Sequence, residues 1–143
     1  TRNSANNNPM QQPAVPNNPQ VLIIEDNEDT RYMLEILLEM RGYQSVAVED
    51  AEKVPALTAN RIPDLIIMNI TLPVDEGLKT LQQIHEYFSP YNVPIIATSG
   101  CALPSFQTAA LRAGSSAVFI KPIDFNKLDS LLEQTLSHQP PLQ

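Results

Sequence analysis

The chain has 143 residues, enough for one compact domain and not comfortably for two. Its 43% hydrophobic content allows a real core, while a net charge of -7 argues against direct nucleic-acid binding, since no basic stripe is available to neutralise phosphates. A single cysteine, Cys101, excludes an internal disulfide and a Cys-rich zinc site and fits a reducing cytoplasm; the apolar runs are too short for membrane insertion.

Residues 1–19 are nearly all Asn, Pro, Gln and small side chains, with little apolar surface to offset ordering entropy, so they read as a disordered tail or linker. The linker suggests that something lies upstream, and no secretory leader is visible in it. "HQPPLQ" at 138–143 reads as a second tail, leaving a folded domain at 20–137.

Within that domain, "QVLIIE" (20–25) predicts a buried strand. "DTRYMLEILLEMRG" (29–42) predicts a helix with Met33, Ile36, Leu37 and Met40 on its inner stripe and Gly42 at its end. "YQSVAV" (43–48) is a second strand. In "AEKVPALTANR", Pro55 suits a first turn, so the next helix starts near Lys53 or Val54. "DLIIMN" (64–69) is the third strand, followed by a helix over 76–88 with Leu78, Leu81, Ile84 and Phe88 inward. "VPIIATS" (93–99) is the fourth strand. The helix at 104–114 carries Phe106, Ala109, Ala110 and Ala113 on one stripe and ends at Gly114. "SAVFIK" (116–121) is the fifth strand, and a last helix (125–136) turns Leu128, Leu131, Leu132 and Leu136 inward.

Strictly alternating strands and helices predict a doubly wound, five-stranded parallel sheet flanked by five helices, because right-handed crossovers place helices on both faces. Ligands gather at the carboxyl ends of such strands. Glu25 and Asp26 follow the first strand, Asn69 and Thr71 the third, Ser99 the fourth, and Lys121 with Pro122 ends the fifth. A magnesium ion favours carboxylate, carbonyl and phosphate oxygens, and hydroxyl and ammonium groups can hold further phosphate oxygens. The missing part is a nucleophile: an Asp at 69 could form an aspartyl-phosphate, and an Asn cannot. Cys101 reads as a passive small side chain, and His85 and His138 lack metal-ligand spacing.

The stretches "VLIIEDNEDT", "PDLIIMNITLP", "PIIATSG" and "AGSSAVFIKPID" resemble the receiver domain of two-component response regulators over essentially all of 20–137. The resemblance implies a flavodoxin-like sheet of order 2-1-3-4-5. It implies a magnesium site from Glu25, Asp26, the acceptor position Asn69 and the backbone carbonyl of Thr71, with Ser99 as switch residue and Lys121 as the phosphate-contacting lysine. It implies a sensor histidine kinase, a phosphotransfer protein or a linked signalling domain as partner, and a partner face near 104–121. Two positions depart from the family: Asn69 replaces the phosphoacceptor, and Val118 stands where an aromatic switch residue is usual. Neighbouring Phe119 should face the other side of the sheet.

Three accounts of the site follow. In the first, the receiver acts through protein contact, phosphotransfer to 69 is abolished, and Mg2+ binding is weak or lost. In the second, an ordinary phosphoaccepting receiver carries an engineered Asp-to-Asn substitution. In the third, the chain is a flavodoxin-like small-ligand module, which "EDNEDT" opposes because it is acidic where a phosphate loop would be Gly-rich. In the first two the chain is a signalling module and not an enzyme.

Overall fold

Short runs of aliphatic and β-branched residues, each too apolar for a solvated surface, build the centre of the molecule. The structure, a computed structural model, describes residues 18–136; the tails expected at 1–19 and 138–143 lie almost entirely outside them. Strands β1 (Gln20–Ile24), β2 (Gln44–Val48), β3 (Leu65–Asn69), β4 (Ile95–Ser99) and β5 (Ala117–Ile120) pair in parallel in the order β2-β1-β3-β4-β5. The register places Ile24 beside Met68, Asn69 beside Thr98, and Ser99 beside Ile120, so the strands end together along one edge.

Four α-helices connect them, α1 (Glu28–Met40), α2 (Val54–Leu57), α3 (Val74–Phe88) and α4 (Pro104–Ala113), and a fifth, α5 (Phe125–Leu136), follows β5. Side-chain alternation along each strand divides the core into two layers. Leu22, Ile24, Ile66, Met68, Ile95 and Ala97 meet Val54 of α2, Leu81, Ile84 and Phe88 of α3, and Phe106 and Ala110 of α4. Val21, Ile23, Leu65, Ile67 and Ile96 meet Leu34 and Leu38 of α1 and Leu128, Leu132 and Leu136 of α5. Strands buried on both faces require helices on both, which explains their near-continuous apolar sequence. Among the described residues, no helix is long and apolar enough to cross a membrane.

The helix ends follow local chemistry. The Asn27 side chain caps α1 by accepting from the Thr30 N–H at 2.8 Å. At its other end, Gly42 (φ 82°) allows Tyr43 N–H to reach the Leu38 carbonyl and its own N–H to reach Glu39, the paired bonds of a Schellman cap. Pro55 lies in the first turn of α2, which is a single turn long. Gly77 is buried where α3 crosses the loop leaving β3, and a Cβ there would collide with the Thr71 carbonyl and the Ile70 side chain.

One expectation is corrected. The inner stripe of α1 is Leu34 and Leu38, with Leu37 partly packed, while Met33, Ile36 and Met40 are exposed. The helix carries two overlapping apolar stripes, and spacing alone does not choose between them. The phase observed turns Leu34 and Leu38 onto Val21 and Ile23 of the sheet and Leu128 and Leu132 of α5, while at its start the Asn27 cap and Arg31, whose Nη1 donates to the Glu25 carbonyl at 2.9 Å, hold the turn before it. Replacing Leu34 with Ala should therefore cost about 2–5 kcal/mol, whereas Met33→Ala should change stability by about 0.5 kcal/mol or less. Urea denaturation of the two variants measures this; equal losses would contradict the phase of the helix.

Candidate functional site

The β1–α1 turn holds its acids by short-range bonds. Glu25 is almost fully buried, at 2% exposure. Its Oε2 accepts the Asn27 N–H at 2.9 Å and its Oε1 accepts Lys121 Nζ at 3.1 Å. Burial pushes the Glu25 carboxyl above its ordinary 4.5, and the Asn27 N–H and the Lys121 ammonium pull it part of the way back. Lys121 comes from the loop after β5, and its own N–H donates to the Ser99 carbonyl at 2.7 Å. The ion pair thus ties β1 to the far edge of the sheet across β3 and β4.

Asp26 is exposed and points to the end of β3. Asn69 Nδ2 donates to Asp26 Oδ1 at 3.1 Å. Glu25, Asp26, Asn69 and Thr71 line one small cavity of about 130 Å3, together with Glu49 and Asp50 from the β2–α2 loop. Four of the six residues expected at the site therefore share a cavity. Lys121 joins them through Glu25 and does not line it. Ser99 is 1% exposed, and its Oγ accepts the Cys101 N–H at 3.0 Å, bracing the β4–α4 loop.

Val118 packs with the α2, α3 and α4 layer, and Phe119 with the α1 and α5 layer. Phe119 therefore cannot take the place of an aromatic at 118. Sequence reading missed Asn27 and Arg31, which hold the acidic turn; the only signal was an Asx residue three positions before Thr30, a helix-cap pattern. It also missed Thr98, beside Asn69 in the sheet, whose buried hydroxyl has no hydrogen-bond partner among the described residues.

One free carboxylate oxygen and neutral oxygens are what the site leaves for a divalent metal. Both Glu25 oxygens are engaged, and one Asp26 oxygen already accepts an amide. The second Asp26 oxygen, Asn69 Oδ1 and the Thr71 carbonyl remain as the protein oxygens that would hold Mg2+, with water completing its octahedral shell. Among the described residues, no three of His, Cys, Asp and Glu are grouped as they would be to hold a metal ion.

Residues 21–133 match the family model described as the response regulator receiver domain. The polar-differentiation response regulator DivK of Brucella anthropi is 29% identical over 103 residues, covering 72% of this chain and 84% of DivK. The CAI-1 autoinducer sensor kinase/phosphatase CqsS of Vibrio cholerae is 31% identical over 109 residues; the match covers 73% of this chain and 16% of the kinase. Among solved structures, the receiver domain of sensor histidine kinase PA1611 from Pseudomonas aeruginosa PAO1 has a TM-score of 0.70 at 27% identity. It covers 84% of this chain and 98% of that domain, and has a magnesium ion coordinated in its active site cleft.

The raised Glu25 carboxyl has a pH signature. Its ionisation is opposed in the folded state only, so its contribution to stability is complete below pH 4.5 and is lost as pH rises through the elevated folded value. Glu25→Gln lacks this term. The stability of Glu25→Gln relative to the parent should therefore increase as pH rises from about 4 to 7, measured by urea denaturation at each pH. A constant difference would contradict the burial effect.

Proposed function

The chain belongs to the response regulator receiver domain family, and on that premise we propose that it is a receiver that signals without phosphate on residue 69, passing its state on through protein–protein contact. Receiver domains are signalling modules rather than enzymes in general; they bind Mg2+ at their active site and interact with histidine kinases and phosphotransfer proteins. The reading extends to a folded unit at 20–137, between a tail or linker at 1–19 and a tail at 138–143. Its partner would be a sensor histidine kinase, a phosphotransfer protein or a signalling domain linked in the same chain. The likeness to part of CqsS and to the PA1611 receiver supports the linked arrangement, and the likeness to DivK, 84% of which is covered, supports a receiver that makes up most of its own chain.

The observation that carries the proposal is the Asn69–Asp26 contact. An amide nitrogen lone pair is delocalised into the carbonyl, so Asn69 offers no nucleophile for phosphoryl transfer. It also supplies a donor where an aspartate would bring a third negative charge. Two carboxylates about 4 Å apart repel by about 1–4 kcal/mol between bulk water and a protein surface. Asn69 removes that repulsion and satisfies Asp26 without a cation. Lys121, held by Glu25, need not await a phosphoryl group to be neutralised. Mg2+ would supply charge neutralisation when bound; on this donor set its binding is weak or lost.

A second reading has one observation in its favour. Glu25, Asp26, Ser99 and Lys121 all stand at the positions that resemble the family site, which favours an ordinary receiver with an engineered Asn at 69.

Incubation with acetyl phosphate and Mg2+ should leave the intact mass of the chain unchanged. A stoichiometric phosphoryl adduct on any pocket acid would sink the phosphate-free reading. Asn69→Asp should bind Mg2+ more tightly, by about tenfold or more on the basis of one added carboxylate ligand. Equal affinities by calorimetric titration would remove Asn69 from the metal shell. Phosphorylation of Asn69→Asp would favour the engineered reading; continued inertness would place the divergence beyond residue 69.

A further inference from the structure

We infer that the groove between α3 and α4 is a docking site for an acidic segment of a partner protein. The groove encloses about 690 Å3, is open along its length, and is lined by Asp75, Leu78 and Lys79 of α3 and by Thr108, Ala109 and Arg112 of α4, among others. Both helices start at the carboxyl edge of the sheet and run the same way, so their residues face one another in successive turns. Asp75 lies at the end next to the strand ends, Lys79 one turn further, and Arg112 in the last turn of α4.

The distribution of charge points to the occupant. Among the described residues, Arg41, Lys53, Arg61 and Lys121 each pair with a carboxylate, and Arg31 binds the Glu25 carbonyl. Lys79, Arg112 and Lys127 have no ion pair there, and two of these three line the same groove. This happens on a chain of net charge -7, where carboxylates are in excess. Asp75, the one acid in the lining, makes no ion pair with Lys79 four residues on. The floor is made of short side chains, including Ala109 and Ala113, which leave room for an incoming backbone. An open groove with cations at different levels suits an extended or helical segment with carboxylates about one helical turn (~5.4 Å) apart. A compact small molecule would leave most of its surface in water there.

The groove does not use residue 69, so the inference stands whether or not phosphate reaches the site. A segment bridging α3 and α4 would hold together the two helices that follow Asn69 and Ser99, giving the receiver an input that needs no phosphoryl group.

The test titrates the full chain, labelled with 15N, with a short helical peptide carrying Glu at i and i+4. The expected result is saturable, salt-sensitive shifts of the amides at 75–82 and 105–113. Lys79→Gln and Arg112→Gln should each weaken binding about 3–5-fold, while Lys127→Gln on α5 leaves it unchanged; unperturbed amide spectra show that the variants are folded. The inference is overturned by an absence of shifts, by equal binding of a peptide with Gln in place of Glu, or by binding that survives the double substitution. The same shifts with inorganic phosphate or succinate at comparable affinity would overturn it in favour of a small-anion site. Self-association of the chain that is lost in the double variant would overturn it in favour of a second copy.

Discussion

A carboxylate at a buried position must be neutralised or paired, and Glu25 is the point from which the carboxyl edge of this molecule is organised. Its two oxygens take a backbone N–H from the start of α1 and the ammonium of Lys121. Its carbonyl takes Arg31. One residue thus joins the start of α1, the acidic turn and a lysine arriving from the opposite edge of the sheet. Breaking a buried pair by removing one partner leaves an uncompensated charge, so this arrangement resists piecemeal change.

That constraint gives Asn69 its meaning. With Lys121 held by Glu25, the remaining charges around the cavity are the carboxylates of Asp26, Glu49 and Asp50, of which Glu49 pairs with Lys53. A neutral donor at 69 is the group that a carboxylate in this setting can use without a cation. The pocket keeps the layout of a receiver site with an amide donor where an aspartate would add a further negative charge. Such an arrangement is consistent with a module whose state is set by contacts on its surface, and α3 and α4, which leave the site, carry Lys79 and Arg112, two of the three cations without an ion pair among the described residues.

Much of this was legible in one dimension. Alternation of apolar runs with helical periods specified the sheet, since only a parallel sheet covered on both faces buries such strands. The limits of α4 and α5 followed from Pro104, Gly114 and the leucine spacing of the last helix. Alternation along β5 already placed Val118 and Phe119 on opposite faces, and they are found in opposite layers. The inner stripe of α1 was not legible, because Tyr32, Met33, Ile36 and Met40 form as good a pattern as Leu34, Leu37 and Leu38; which of them faces the sheet and α5 is a matter of tertiary packing.

At the site, the sequence by itself determined which residue types reach the carboxyl edge, because strand ends and turns are set by local chemistry: Glu25, Asp26, Asn69, Thr71, Ser99 and Lys121. Only the tertiary structure decided how they divide. Glu25 turns inward to Lys121, Asp26 outward to the Asn69 amide, and Ser99 aside to the Cys101 N–H. Those partners lie on different strands and loops, and their pairing depends on burial and on the register of the sheet, which no spacing along the chain encodes.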